Sequence, residues 1–333
     1  MKKYKAYGIG AALVDTEIKV EDAELSAMNI EKGLMTLVDQ ERQQEILAHL
    51  EGHLVKANHA SGGSAGNSMI ATALFGGSTF MSCKVANDED GDIYLKDLAA
   101  AGVDHNLNGD RDPGITGKCL VLITPDAERS MNTYLGISET LSTEQLDATA
   151  IADSEYLYLE GYLVTSPTGR AAAIKARELA EAAGVKTSLS FSDPGMVEFF
   201  REGIAQMMGE RVNLLFCNED EALGWAQSDD METAIAALKD VADTFVITLG
   251  SKGALTFDGY ELVEIPPNVV EAVDTNGAGD MFAGAFLYAL TEGKDFATAG
   301  QFASLAAARV VSQYGPRLPV DHYAALRDEF FKG

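Results

Sequence analysis

The amino-acid sequence predicts an α/β fold: a doubly wound, mostly parallel sheet flanked by helices, with a small β-sheet lid. Three observations carry this. The second half of the chain alternates apolar strand-like runs with helical runs, an order that builds parallel sheets with right-handed crossovers. Turn residues at Asp15, Gly62–Asn67, Asn218–Glu221, Gly250–Gly253 and Asn276–Asp280 follow such runs. In these sheets ligands bind beyond the carboxyl ends of the strands, so the turns are expected to share one crevice. Segments 16–39 and 119–137 hold short extended pieces too thin for a buried sheet, and are assigned to the lid. With no linker, repeat or low-complexity tract, the 333 residues read as a single domain.

Taken in order, Tyr4–Val14 reads as the first strand, ending at Asp15. Thr16–Val20 and Gly33–Val38 are the extended pieces of the first lid excursion. Gln40–Leu54 is an amphipathic helix with Ile46, Leu47 and Leu50 on one face. Ser61–Asn67 is a glycine-rich turn leading into a helix over Ser68–Phe75. Thr79–Val85 follows as a strand, then an acidic helix over Asp88–Ala101 that Gly102 closes. Cys119–Thr124 and Arg129–Leu135 form a hairpin around Pro125-Asp126. Beyond it, strands at Tyr156–Glu160, Lys186–Ser190, Leu214–Cys217 and Phe245–Leu249 alternate with helices at Thr168–Ala183, Val197–Met208 and Glu219–Ala226. Glu271–Val273 is a strand end, Met281–Leu290 a largely buried helix, and Ala297–Val311 an Ala-rich one. A short helix starts at Asp321.

Hydrophobic content of 47% and charged content of 23% are ordinary for a globular protein. A net charge of −26 is not. It argues against nucleic acid or an anionic membrane surface as partner, because both need a positive face. Any phosphate site must therefore be local, made from backbone amides, a few cations and a metal. No run approaches the roughly 18 apolar residues of a membrane span. Cys83, Cys119 and Cys217 are scattered without metal spacing and read as reduced core residues of a cytoplasmic protein. His49 and His53 have the i, i+4 spacing of helix metal ligands but lack the Glu of a zincin pattern, so solvated helix-end residues are the favoured reading.

The sharpest local signal is Val273-Asp274-Thr275-Asn276-Gly277-Ala278-Gly279-Asp280 running into a helix. A helix start after a small-residue turn offers unpaired N–H groups and the positive end of a dipole, which suits an anion. Asp280 in that first turn opposes a phosphate. It is either an N-cap or a general base placed where a phosphoryl group is transferred. A dinucleotide fingerprint would need glycine at 282, where Phe282 stands, and a Walker loop would need a Gly-Lys-Ser/Thr triplet, which the chain lacks.

Asp274–Asp280 matches, without a gap, the D-T-x-G-A-G-D signature of the ribokinase-like (PfkB) carbohydrate and nucleoside kinases. The resemblance covers nearly the whole chain and implies ATP-dependent phosphoryl transfer to a primary hydroxyl of a small neutral substrate. It makes Asp280 the base and the amides of Gly277, Ala278 and Gly279 the anion hole. Gly62-Gly63 and Asn67 resemble the first signature, where glycines admit substrate hydroxyls and Asn bonds them; a plain turn with an Asn cap looks the same. Asp15 stands where related kinases hold sugar hydroxyls. Asn218-Glu219-Asp220-Glu221 is similar to the N-x-x-E element, whose Glu221 would orient water around Mg²⁺ and whose Asn218 would face phosphates. Thr248, Gly250 and Gly253 match a nucleotide loop, with Asn276 beside it. Asp274 matches a monovalent-cation site, hence K⁺ as a further cofactor. Arg129 and Tyr134 of the second lid segment, within Arg129–Gly136, look most like bacterial adenosine-kinase-type members. A hexose or deoxy-sugar-acid kinase is the alternative, and a non-catalytic nucleotide-binding regulator the alternative of another class. The protein is expected as a monomer or homodimer.

Overall fold

The computed structural model describes residues 2–52, 58–107 and 109–332, the side chains of Asn58 and His59 excepted. A nine-stranded sheet forms the centre. It contains β1 (Tyr4–Ile9), β5 (Thr79–Ser82), β6 (Asp104–His105), β9 (Ser154–Glu160), β10 (Lys186–Ser190), β11 (Val212–Asn218), β12 (Ala242–Thr248), β13 (Ala254–Phe257) and β14 (Leu262–Ile265). Their spatial order is β14-β13-β12-β11-β10-β9-β1-β5-β6, and only β13 and β14 run antiparallel to their neighbours. Alternate side chains of each strand enter opposite layers, as a pleat requires. On β11, Leu214 and Phe216 join one core while Leu215 and Cys217 join the other. The first core is covered by α3 (Ser64–Leu74), α4 (Glu89–Ala101), α10 (Ala278–Thr291), α11 (Phe296–Val311) and α12 (Val320–Lys332). The second is covered by α5 (Ala148–Ala152), α6 (Pro167–Ala182), α7 (Pro194–Met208), α8 (Glu219–Ala226) and α9 (Met231–Val241).

A separate five-stranded sheet joins β2 (Leu13–Lys19), β3 (Met35–Leu37), β4 (Asn58–Gly62), β7 (Gly117–Ile123) and β8 (Arg129–Tyr134) in the order β3-β8-β7-β2-β4. Ile18, Leu120 and Leu122 pack one side of it on Leu25 of α1 (Asp22–Ala27) and Ile46 of α2 (Gln40–His49). The other side faces the ends of the main sheet.

Four expectations are corrected here. Tyr4–Val14 is not one strand: β1 stops at Ile9, and Gly10-Ala11-Ala12 carries the chain across to β2. At Gly10 a Cβ would lie 2.3 Å from Glu160 Oε2 and 2.7 Å from Ala65 Cβ, so only glycine passes there. Asp15 therefore sits inside the small sheet, not at the end of a main-sheet strand. Second, the glycine-rich turn is shorter than expected. β4 runs to Gly62 antiparallel to β2, giving the small sheet a third excursion, and α3 already begins at Ser64. Third, Glu271–Val273 is irregular backbone; its hold is the bond from Val273 N to Val311 O (2.8 Å) at the end of α11. Helix α2 also stops short of the expected Leu54: it ends at His49, with Leu50 as its C-cap bonded back to Ile46 O and Leu47 O, while His53 and the His59 side chain lie outside the described residues.

Candidate active site

A cleft of about 650 Å³ opens between the carboxyl ends of the main-sheet strands and the inner face of the small sheet. The turn into α10 crosses its middle. Gly277, the N-cap, has φ +72, and a Cβ there would meet Pro316 O at 2.4 Å. This position requires glycine on both counts. Gly279 does not: it lies in the helix, a Cβ would meet nothing within 4 Å, and its bare face is open to the cleft. Asp274 is fully buried and holds the turn, Oδ1 accepting from Asn276 N (2.8 Å) and Oδ2 from Gly315 N (3.0 Å). Both oxygens of the residue expected at a monovalent cation are thus occupied by backbone amides.

Asp280 is half-buried in the cleft wall. Ser64 Oγ donates to its Oδ1 at 2.7 Å and Asn67 Nδ2 to its Oδ2 at 3.0 Å. Burial pushes its pKa up, while these two bonds and the Arg129 charge pull the other way. The two helix starts meet because α3 and α10 pack backbone to backbone. A Cβ on Gly284 would stand 2.6 Å from Ser68 O, and Thr72 Oγ1 donates to Gly284 O at 2.9 Å. Ser64 and Asn67, three apart in the first turn of α3, then share the face that reaches Asp280.

The small sheet and its edge wall one end of the cleft with Leu13, Met35, Leu37, Cys119, Met131 and Leu135. Asp15 lies at its base, pushed up to about 7 by burial first, then by Glu17 and Asp280, against a lowering by Arg317. Gly62 is not itself in the wall. It makes room behind Asp15, whose Oδ1 would be 2.1 Å from a Cβ at 62. Gly63 does line the cleft, with φ +88. Tyr134 and Ile137 are not among the lining residues. On β8 the alternation puts Arg129, Met131 and Thr133 on the cleft side, and Tyr134 takes the opposite parity. Glu160, at the end of β9, is a lining residue the sequence reading missed. It is buried and pushed up to about 7 by burial, although Oε1 accepts from Ala11 N (2.6 Å) and Oε2 from Ala65 N (2.8 Å). Ser64 was missed too, although it stands between Gly63 and Asn67 in the expected motif.

At the other end, Asn218 and Glu221 form a capping box on α8. Asn218 Oδ1 accepts from Glu221 N (2.8 Å), and Glu221 accepts from Asn218 N (2.9 Å). The structural and functional readings of this element coexist, because both residues also line the cleft. Burial pushes Glu221 up to about 8. Thr248, Gly250, Ser251 and Gly253 line this end from the turn between β12 and β13. Gly253 is needed there, with φ +99 and Ile265 O 2.1 Å from where a Cβ would stand. Facing the turn is a slot no motif announced: Pro267, Asn268, Val269 and Val270 against Ala307, Ala308 and Val311.

Among the described residues no cluster of three or more metal-ligating side chains occurs, and no helix is long and apolar enough to cross a membrane. Mg²⁺ keeps several waters and takes few protein ligands. Glu221 fits such an ion: a buried oxygen donor facing the cleft whose charge is costly without a cation. Arg129 is the one lysine or arginine among the lining residues, against Asp15, Glu128, Glu160, Glu221 and Asp280.

Residues 33–322 match the model of the pfkB family carbohydrate kinases. The adenosine kinase of Saccharomyces cerevisiae is 26% identical over 93% of this chain and 96% of its own. Among solved structures, a probable sugar kinase of Rhizobium etli superposes with a TM-score of 0.93 at 33% identity, over 99% of both chains. The adenosine kinase of Sinorhizobium meliloti does so with 0.92 at 34% identity, over 98% of this chain and 99% of that one. The chain belongs to the pfkB carbohydrate kinases and is an ATP-dependent kinase with an alcohol group as acceptor.

Proposed function

We propose that the protein transfers the γ-phosphoryl group of ATP to the 5′-hydroxyl of adenosine, giving AMP and ADP. The observation that carries the acceptor is its wall: Leu13, Met35, Leu37, Met131 and Leu135 offer apolar surface broad enough for a purine face. A phosphosugar would need a second cationic cluster for its own phosphate; the one lysine or arginine lining the cleft is Arg129, and Arg317, which acts on Asp15, is already bonded to Ser61 O and Asp97. In this reading Asp15 and Asn67 hold ribose hydroxyls. Asp280 accepts the proton of the attacking hydroxyl as the new P–O bond forms and the bond to the β-phosphate oxygen of ADP breaks. The N–H groups of Gly277, Ala278 and Gly279 hold charge developing on the transferred group, and Arg129 adds a cation from the small sheet. ATP lies along Asn218, Thr248, Gly250, Gly253 and Asn276, its base in the slot of Val269, Val270 and Ala308. Glu221 would hold Mg²⁺ through water, and the ion when bound would supply positive charge to the phosphates.

A neutral sugar as acceptor is the second reading, favoured by the near-equal likeness to a probable sugar kinase. Comparing kcat/KM for adenosine, ribose, fructose and fructose 6-phosphate under equal ATP and Mg²⁺ decides between them. Adenosine is expected to lead. A sugar ahead by tenfold, about 1.4 kcal/mol of transition-state preference, overturns the nucleoside reading.

A further inference from the structure

The contacts of Asp280 within the protein point to a residue that no kinase motif names. Its two oxygens are each pinned by a donor from the first turn of α3: Oδ1 by the Ser64 hydroxyl at 2.7 Å, Oδ2 by the Asn67 amide at 3.0 Å. A carboxylate oxygen accepts more than one bond, so each keeps capacity toward the cleft. What the two bonds remove is rotation of the carboxylate and part of its tendency to protonate. Both donors carry hydrogens that only an acceptor oxygen can meet, so they favour the ionised form.

That preference matters because burial and two neighbouring carboxylates oppose it. Asp280 is half-buried, and two neighbouring lining carboxylates, Asp15 and Glu160, are in electrostatic range of it. Arg129 is the one lining cation, and it comes from the small sheet rather than from the elements that hold the base. A base already protonated takes no proton. The serine is also placed by fixed backbone. Gly63 at φ +88 turns the chain from β4 into the helix, and Glu160 holds the next amide, Ala65 N, at 2.8 Å. The Ser64 hydroxyl is thereby presented to Asp280 from a helix start fixed on both sides.

We propose that Ser64 is a positioning residue for phosphoryl transfer: with Asn67 it clamps the Asp280 carboxylate in one orientation and keeps it ionised and ready to accept the proton. This rests on Asp280 being the base. Ser64 faces the cleft as well, and a serine that merely touched the acceptor would act on KM at every pH alike. A clamp acts on the acid limb of the pH profile, where the base loses its charge.

The test is kcat/KM for the preferred acceptor across pH in wild type, Ser64→Ala, Ser64→Thr and Asp280→Asn. All four are checked for folding by thermal unfolding and for ATP binding by calorimetry. Loss of one hydrogen bond to a charged carboxylate is expected to move the acid limb of Ser64→Ala upward by about one to two pH units. Ser64→Thr, which keeps the hydroxyl, is expected to return the limb toward wild type. A Ser64→Ala limb within 0.3 units of wild type, with any loss of rate uniform in pH, overturns the clamp. Asp280→Asn reports separately: if it keeps more than about a tenth of wild-type kcat, the base assignment itself fails. If it is inactive while the Ser64→Ala limb stays put, only the clamp fails.

Discussion

The two ends of the cleft are built by opposite means. The nucleotide end consists of local devices at the edge of the main sheet: a capping box within four residues, a tight turn between two adjacent strands, a helix start. The acceptor end is assembled from distant pieces. Asp15, Cys119 and Met131 come from three strands of the small sheet, and Glu160 bonds to amides 149 and 95 positions away in sequence. Phosphate recognition needs only amides and glycines that a short peptide can arrange, whereas an acceptor must be enclosed on several sides. Asp280 stands where the two meet, its backbone in the local turn and its carboxylate held from across the fold.

Substitutions that break this comparison follow in order of effect. Asp280→Asn removes the shared point and is expected to lower kcat by roughly 10²–10⁴-fold with ATP affinity retained, measured by coupled ADP release and calorimetry. A variant above about a tenth of wild-type kcat leaves Asp280 as a helix-start residue only. Gly277 and Gly279 separate backbone need from open space. Gly277→Ala forces a left-handed φ and a clash with Pro316, and is expected to cost about 1–3 kcal/mol of stability as well as turnover. Gly279→Val has no clash to make, so it is expected to leave the unfolding temperature nearly unchanged while its side chain obstructs the transferred phosphoryl group. Equal destabilisation by the two would contradict the geometry of the turn.

Met131→Ala probes the acceptor wall alone. It is expected to raise KM for adenosine by about tenfold, the order of 1.4 kcal/mol for part of a buried side chain, and to leave KM for ATP within twofold. A larger effect on ATP would mean that the two ends are not separately built. The last expectation concerns stability against pH rather than activity. Asp15 and Glu160 are raised to about 7 and Glu221 to about 8, above ordinary carboxylates. The folded state then holds protons that the unfolded state has lost, so stability falls as pH rises from about 4, the ordinary carboxylate range, to about 8 and levels off above it. Urea unfolding of the ligand-free protein should show stability falling across that range, by about 1.4 kcal/mol per pH unit for each group that is still protonated when folded. The Asp15→Asn, Glu160→Gln and Glu221→Gln triple variant should flatten it, and an equally steep slope in that variant would assign the effect elsewhere.

The sequence by itself determined the alternation of strands and helices, the hairpin of β7 and β8, the buried α10 and the glycine turn that starts it at Gly277–Asp280. Each is encoded within a short stretch, by hydrophobic period, turn chemistry or a helix start, so nothing distant is needed to read it. It also placed Asn218 with Glu221 and the glycines after β12 on one crevice, because strand ends in a parallel sheet face one way. Tertiary structure alone decided what depends on which strand lies beside which. Tyr134 was expected in the site, yet the pairing of β8 gives the cleft the other parity, and a shift of one residue exchanges faces. Asp15 belongs to the small sheet because Gly10 must slip past Glu160, a residue 150 positions later. Ser64 and Asn67 reach Asp280 across 216 and 213 residues only because Gly284 lets two helices touch. Hydrophobic periods and turn residues speak for their own neighbourhood; a side chain's partner across the fold is a property of the packed whole.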